Sequence, residues 1–142
     1  MGRRCVAAVV ALVAVAAVLM PKGIEGRAVM PDTITVAGIV TLTDNEGFVG
    51  HSSGGTCAGT GGYDDLALGT SVTVYDGGSA IIGGGYVNAA TYNGNACVLA
   101  FEIPEIPAGK GFYQVEISHR GKISEDEKNV ELGTLYFSGS IG

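Results

Sequence analysis

The sequence predicts an all-β domain, an antiparallel β-sandwich, behind an N-terminal apolar export helix. Three observations predict it. Apolar residues recur with a period of two in nearly every segment after residue 32. No apolar segment there has the length and spacing of a core helix. Clusters of Gly, Asn, Asp and Pro cut the chain into runs short enough for sandwich strands.

The first element is not part of the domain. Met1-Gly2-Arg3-Arg4 is basic, and Cys5 to Met20 is sixteen residues without a charge, amide or hydroxyl. A basic head before an apolar run is the pattern that export machinery reads, the basic end staying inside. Sixteen residues at helical rise span about 24 Å, short of the ~30 Å hydrocarbon core. Pro21 stops clean extension of the helix. Both points favour a signal peptide, with Gly26-Arg27-Ala28 offering small residues for a cut before Val29. The alternative is an uncleaved anchor. Residues 1–28 are therefore a signal peptide or membrane anchor, and residues 29–142 the β-domain. Its expected place is extracytoplasmic, secreted or held to the cell membrane by residues 5–20.

Within the domain, Thr33–Thr43 alternates Ile34, Val36, Val40 and Leu42 against threonines and predicts the first strand. Asp44-Asn45-Glu46-Gly47 is a turn, and Gly50–Gly62 a Ser/Gly/Thr loop. Thr70–Asp76 is a strand with Val72 and Val74 on one face, and a Gly-Gly turn leads to a short strand over Ala80–Gly83. Gly84–Asn95, rich in Gly, Asn, Ala and Tyr, reads as a loop. Ala96–Ile103 places Cys97, Leu99, Phe101 and Ile103 on one face, and Pro104 and Pro107 bound the connection to the next strand. Phe112–His119 groups Tyr113, Val115 and Ile117. Ser124-Glu125-Asp126-Glu127 has the Ser-x-x-Glu capping pattern and predicts the start of one helical turn. Leu135–Ser138 is a last short strand.

Composition narrows function mostly by exclusion. Residues 29–142 carry four cations against thirteen acids, a net charge of −9. Such a surface repels phosphate backbones, which argues against nucleic acid as a partner. The two cysteines of this part, Cys57 and Cys97, form an even set in an exported chain and predict one disulfide. It closes a 41-residue loop, worth about 4 kcal/mol in the chain-entropy model. Their spacing is neither that of a redox pair nor that of a zinc site.

Two stretches carry a family likeness. Gly38-Ile39-Val40-Thr41-Leu42-Thr43-Asp44 is a strand running into a turn. Phe101-Glu102-Ile103-Pro104-Glu105-Ile106-Pro107-Ala108-Gly109-Lys110, continued by Phe112-Tyr113-Gln114-Val115-Glu116-Ile117, is an apolar strand, a Pro-Gly turn and a Tyr-x-Val strand. Together they resemble carboxypeptidase-regulatory-like domains, whose sandwich is transthyretin-like (prealbumin-like, in the broad Ig-like class). The resemblance implies a non-catalytic domain and no site residues. The whole layout is similar to small exported proteins of the actinobacterial, mycobacterial-type envelope. It rests on the apolar N-terminal segment, Cys57-Ala58-Gly59-Thr60-Gly61-Gly62-Tyr63-Asp64-Asp65-Leu66 and Ser118-His119-Arg120-Gly121. That likeness implies a place rather than an activity.

Residue chemistry marks several candidate sites. Gly50-His51-Ser52-Ser53-Gly54 matches G-x-S-x-G, and Ser52, one of Asp64, Asp65 or Asp76, and His119 stand in hydrolase order. The chemistry needs Ser52 on a strand-to-helix elbow, and the glycines after it will not make that helix. Asp64 and Asp65, with Asp44 and Glu46, offer oxygens of the kind Ca²⁺ takes, without EF-hand spacing. Plain turn and surface roles compete with both. Tyr86, Tyr92 and Asn93 in the Gly84–Asn95 loop are the best candidates for recognition, since tyrosine gives contact area at low entropy cost. The expectation is a non-catalytic exported envelope module, binding or structural. Its partner would be an envelope protein or glycan, and no cofactor or metal is called for. A small serine hydrolase using Ser52 and a calcium-binding β-domain are the alternatives.

Overall fold

A computed structural model describes residues 32–43, 48–52 and 54–141. The expected export segment and cut, and the turn with Asp44 and Glu46, lie outside the described residues.

The alternating segments become strands: β1 (Thr33–Leu42), β2 (Phe48–Gly50), β3 (Cys57–Gly59), β4 (Ser71–Asp76), β5 (Ile81–Tyr92), β6 (Cys97–Pro107), β7 (Phe112–Ile117), β8 (Lys122–Asp126) and β9 (Thr134–Ile141). The all-β class is correct. Two short 3-10 turns, Gly61–Tyr63 and Glu127–Asn129, are the helical elements among the described residues.

Seven strands form one sheet in the order β8-β7-β4-β5-β6-β1-β9, and β2 and β3 form a separate hairpin. Strand β5 is shared. Its first half pairs with β4 (Ser71 opposite Tyr86, Val74 opposite Gly83), and its second half pairs with β6 (Val87 opposite Phe101, Tyr92 opposite Cys97). The sheet folds through this strand, with register shifts at Val74/Tyr75 and Val87/Ala89, as bulges bend strands. Its two halves enclose the core, nearly closing a barrel where two separate sheets were expected. Val36, Val72, Val74, Cys97, Leu99, Tyr113, Val115 and Leu135 are all buried in that core.

Three sequence expectations are corrected. The sheet is not wholly antiparallel: β9 pairs parallel to β1, Val36 opposite Leu135 and Leu42 opposite Ile141. Side-chain alternation is the same for either strand direction, so it carried no sign of this. Gly84–Asn95 is not one long loop: Gly84 to Tyr92 belong to β5, and Asn93 to Asn95 are left as the turn into β6. A β-carbon on Gly85 would stand 3.0 Å from Cγ1 of Ile103, and one on Gly83 would collide with Cδ1 of Ile106. These glycines admit large neighbours across the bend. Finally, Ser124–Asp126 belongs to β8, and the helical turn starts later, capped by Asp126, whose carboxylate accepts from Lys128 N at 2.9 Å.

The strand directions give the barrel two ends. One holds the β2–β3 hairpin, the β3–β4 loop, the β5–β6 turn and the β7–β8 turn. The other holds the β4–β5 and β6–β7 turns and the β8–β9 connection.

Candidate binding site at the barrel seam

The barrel stays open between β8 and β9. Both are terminal strands of the sheet. They run in opposite directions side by side, yet no strand pairing joins them. One contact explains part of this. Ile123 lies inward on β8 against Gly139 of β9, where a β-carbon would stand 2.8 Å from Ile123 Cδ1. The strands meet there through a side chain rather than through backbone hydrogen bonds.

Toward the end that holds the β7–β8 turn, the seam widens into a cleft of about 270 Å³. Its apolar lining is Val40, Ile117, Ile123 and Ile141, with Gly139 between them. Val40 and Ile117 are core residues, 2% and 3% exposed. The cleft therefore reaches the core. Its polar lining is Arg120, Gly121 and Lys122 on one side and Ser138 and Ser140 on the other. No acid lines it, although acids outnumber cations across the domain.

Arg120 links the cleft to the β3–β4 loop that covers this end of the barrel. Its Nη2 and Nε donate to the two oxygens of Asp65, the second at 3.0 Å, and Nη2 also donates to Gly62 O. Its guanidinium carbon lies 5.2 Å from the Tyr63 ring centroid, a cation–π contact. Arg120, helped by Ser118, holds the Asp65 carboxyl down at about 2. Leu66, next in the loop, is wholly buried and plugs this end of the core. Lys122 points outward, its Nζ 3.9 Å from the Tyr75 ring centroid, and it joins no ion pair among the described residues.

The residues singled out in the sequence fall elsewhere. Cys57 and Cys97 form the expected disulfide, with Cα atoms 5.8 Å apart. Both are buried, so the bond fastens the small hairpin to the start of β6. Tyr86 is 66% exposed on the outer side of β5. Tyr92 is half-buried: its ring packs on Phe48 at 5.7 Å between centroids and lies over Gly50, and its hydroxyl donates to Gly94 O at 2.9 Å. Asn93 holds the β5–β6 turn, its Oδ1 accepting from Asn95 N at 3.0 Å and Ala96 N at 2.8 Å. Six residues of strand separate Tyr86 from Tyr92, about 20 Å. The three do not make one surface.

Ser52 lies in a turn, its carbonyl accepting from Gly55 N at 2.7 Å. That turn leads to β3, not to the helix an elbow requires, and no hydrogen bond joins Ser52 to a histidine or an acid among the described residues. Asp65 is engaged by Arg120. No group of three or more His, Cys, Asp or Glu side chains converges on a metal site among the described residues.

The cleft itself was missed in the sequence. Ile123 shows the inward alternation of β8, but only the strand order brings β8 beside β9. Searches of protein-family models, of curated proteins and of solved structures find no match to this chain.

Proposed function

We propose that this protein is a non-catalytic module exported to the cell envelope, where it binds a protein or glycan partner through the seam between β8 and β9. The observation that carries the reading is the cleft: it reaches buried Val40 and Ile117 between two sheet edges without partners. Unpaired edges are a liability that proteins cover or use. Supporting the envelope assignment are the basic head and apolar run at the N-terminus and the buried disulfide. The resemblance to regulatory-like and actinobacterial envelope proteins points the same way. The membrane is a partner only where residues 5–20 are retained.

Fractionation of expressing cells, with intact mass of the recovered protein after alkylation without reductant, tests the reading. The expected result is protein outside the cytoplasm with neither Cys57 nor Cys97 alkylated. Full-length, doubly alkylated protein in the cytoplasm overturns export. Labelling of Ser52 by a fluorophosphonate, absent in Ser52→Ala, overturns the non-catalytic assignment.

A further inference from the structure

We infer that two copies of this chain associate through the outer face of β9, β1, β6 and the second half of β5, with Ile39 beside the two-fold axis. The inference concerns a surface other than the cleft and does not rest on the reading above.

The face follows from strand register. Side chains directly opposite one another on paired strands share a face. The row through Ile39 is Ser138, Ile39, Ala100 and Ala89. The row nearer the β5–β6 turn is Ser140, Thr41, Val98 and Thr91. The row on the other side is Tyr136, Ala37 and Glu102. Their neighbours along the strands, Val40, Leu99, Phe101 and Phe137, are buried in the core. The three rows therefore point away from it.

Charge sets this face apart. Glu102 is the one charged side chain in the three rows, whereas residues 29–142 carry a net charge of −9. The other half of the sheet carries charge on its outer side in the ordinary way: Glu116 stands opposite Lys122, and Asp126 opposite Phe112. A cationic partner is drawn to acids and an anionic one to cations, and these rows attract neither. Two copies of so acidic a domain repel each other in most orientations. They approach with least repulsion where both surfaces are neutral, and this face is such a surface for its own copy.

Relief and area fit the same partner. Ala37, Ala100 and Ala89 make a low floor, from which the exposed side chains of Ile39 and Tyr136 rise. An isologous contact sets the raised side chains of each copy on the floor of the other. A neutral glycan is the rival occupant. It calls for several directed polar side chains, and the three rows contain no amide or cation. Four strands over the length of β1 from Thr35 to Thr41 cover roughly 450 Å² per copy, or roughly 900 Å² in total, the size of a weak and reversible interface.

The test is sedimentation equilibrium of the purified full chain from micromolar to millimolar protein. A monomer–dimer equilibrium is expected. Added salt should tighten it, because screening weakens the repulsion between acidic copies. Ile39→Glu and Ile39→Lys should each weaken self-association at least tenfold, since each places two like charges together at the axis. An equimolar mixture of the two variants should recover the dimer, because the charges are then opposite. Ile39 is exposed, so both variants should keep the wild-type melting temperature, and recovery on mixing is a second check that they are folded. Association through residues 5–20 is common to all variants and would not respond to residue 39. A monomer at every concentration, a dimer loosened by salt, a dimer indifferent to Ile39→Glu, or no recovery on mixing each overturns the inference. A monomer whose Ile39-dependent binding is instead to dextran or to phosphatidylcholine vesicles assigns the face to a glycan or a lipid surface and likewise overturns it. None of these outcomes depends on where the protein resides, so the envelope assignment keeps its own test.

Discussion

Arg120 and Asp65 stand fifty-five residues apart in the chain and share a two-oxygen ion pair that fastens the β3–β4 loop to the β7–β8 turn. The pair holds Leu66 in place over one end of the core. It also orients the one guanidinium that borders the seam cleft.

Replacing Arg120 by Ala should cost about 1 kcal/mol, since the pair is partly exposed and such pairs are individually modest even with a ring contact added. A double-mutant cycle with Asp65→Ala in urea measures the coupling. The pH dependence has a defined sign. Asp65 titrates lower in the folded protein, at about 2 against an ordinary 3.8. Its contribution is fully present above pH 4 and is lost as pH falls from there toward 2. Equal acid sensitivity in wild type and Asp65→Asn would remove the pair as the cause.

At the opposite end, Glu127 closes the β6–β7 turn. Its carboxylate accepts from Gly109 N at 2.6 Å, Gly111 N at 2.7 Å and the Tyr113 hydroxyl at 3.0 Å. Both glycines have positive φ, 81° and 75°, which turns their amides onto one anion. Burial alone would raise the Glu127 carboxyl, and the two amides with the tyrosine outweigh it, so the net direction is down. Burial pushes the Tyr113 hydroxyl up to about 12, with Glu127 acting the same way. Glu127→Ala should cost about 2 kcal/mol, the loss of charge-assisted bonds to backbone. The Glu127 contribution disappears as pH falls below the usual glutamate range. The Tyr113 contribution disappears as pH rises from 10 toward 12, because the unfolded tyrosine ionises first. Denaturation midpoints across both ranges, compared with Tyr113→Phe for the alkaline limb, check both signs.

Tyr86 and Tyr92 should separate sharply on mutation. Tyr86→Ala removes an exposed ring and should change stability by no more than about 0.5 kcal/mol. Tyr92→Ala uncovers Phe48 and Gly50, loses the bond to Gly94 and should cost about 1–3 kcal/mol. Thermal melts of the two single variants decide it. Equal, small losses would mean that Tyr92 is as free as a loop residue.

These tyrosines also show what the sequence could and could not disclose. Period-two runs such as Ile34-Val36-Val40-Leu42 and Cys97-Leu99-Phe101-Ile103 announced buried strands because burial alternates with the pleat, and the structure buries every one of those residues. The disulfide was legible because two cysteines leave one pairing. Gly84 and Gly85 misled. A glycine that makes room for a neighbour looks in sequence like a glycine that lets a loop turn, and only Val72 beside Gly84 and Ile103 beside Gly85, each on another strand, tell them apart. The cleft was illegible for the same reason at larger range. Ile123 and Ser138–Ile141 acquire meaning only when β9 has paired with β1, and no local pattern encodes that pairing.

The β8–β9 connection holds a stability reserve at Leu132. Glu131 and Thr134 exchange backbone hydrogen bonds at 2.9 Å in both directions, and the two residues between them, Leu132 and Gly133, have φ of 53° and 80°. Positive φ at both central positions is the geometry that favours Asn-Gly in tight hairpin turns. Leucine is poorly suited to it, since its β-carbon crowds the backbone there. The side chain gains nothing in return, because Leu132 is fully exposed. Leu132→Asn should therefore stabilise the domain by about 0.5–1 kcal/mol, combining relief of the left-handed strain with loss of no buried surface. Leu132→Gly should gain less, because glycine also adds freedom to the unfolded chain. Thermal midpoints of the two variants measured beside wild type test the ordering Asn above Gly above Leu. A drop in midpoint for Leu132→Asn would show that the leucine makes a stabilising contact and that backbone strain is not what the turn stores.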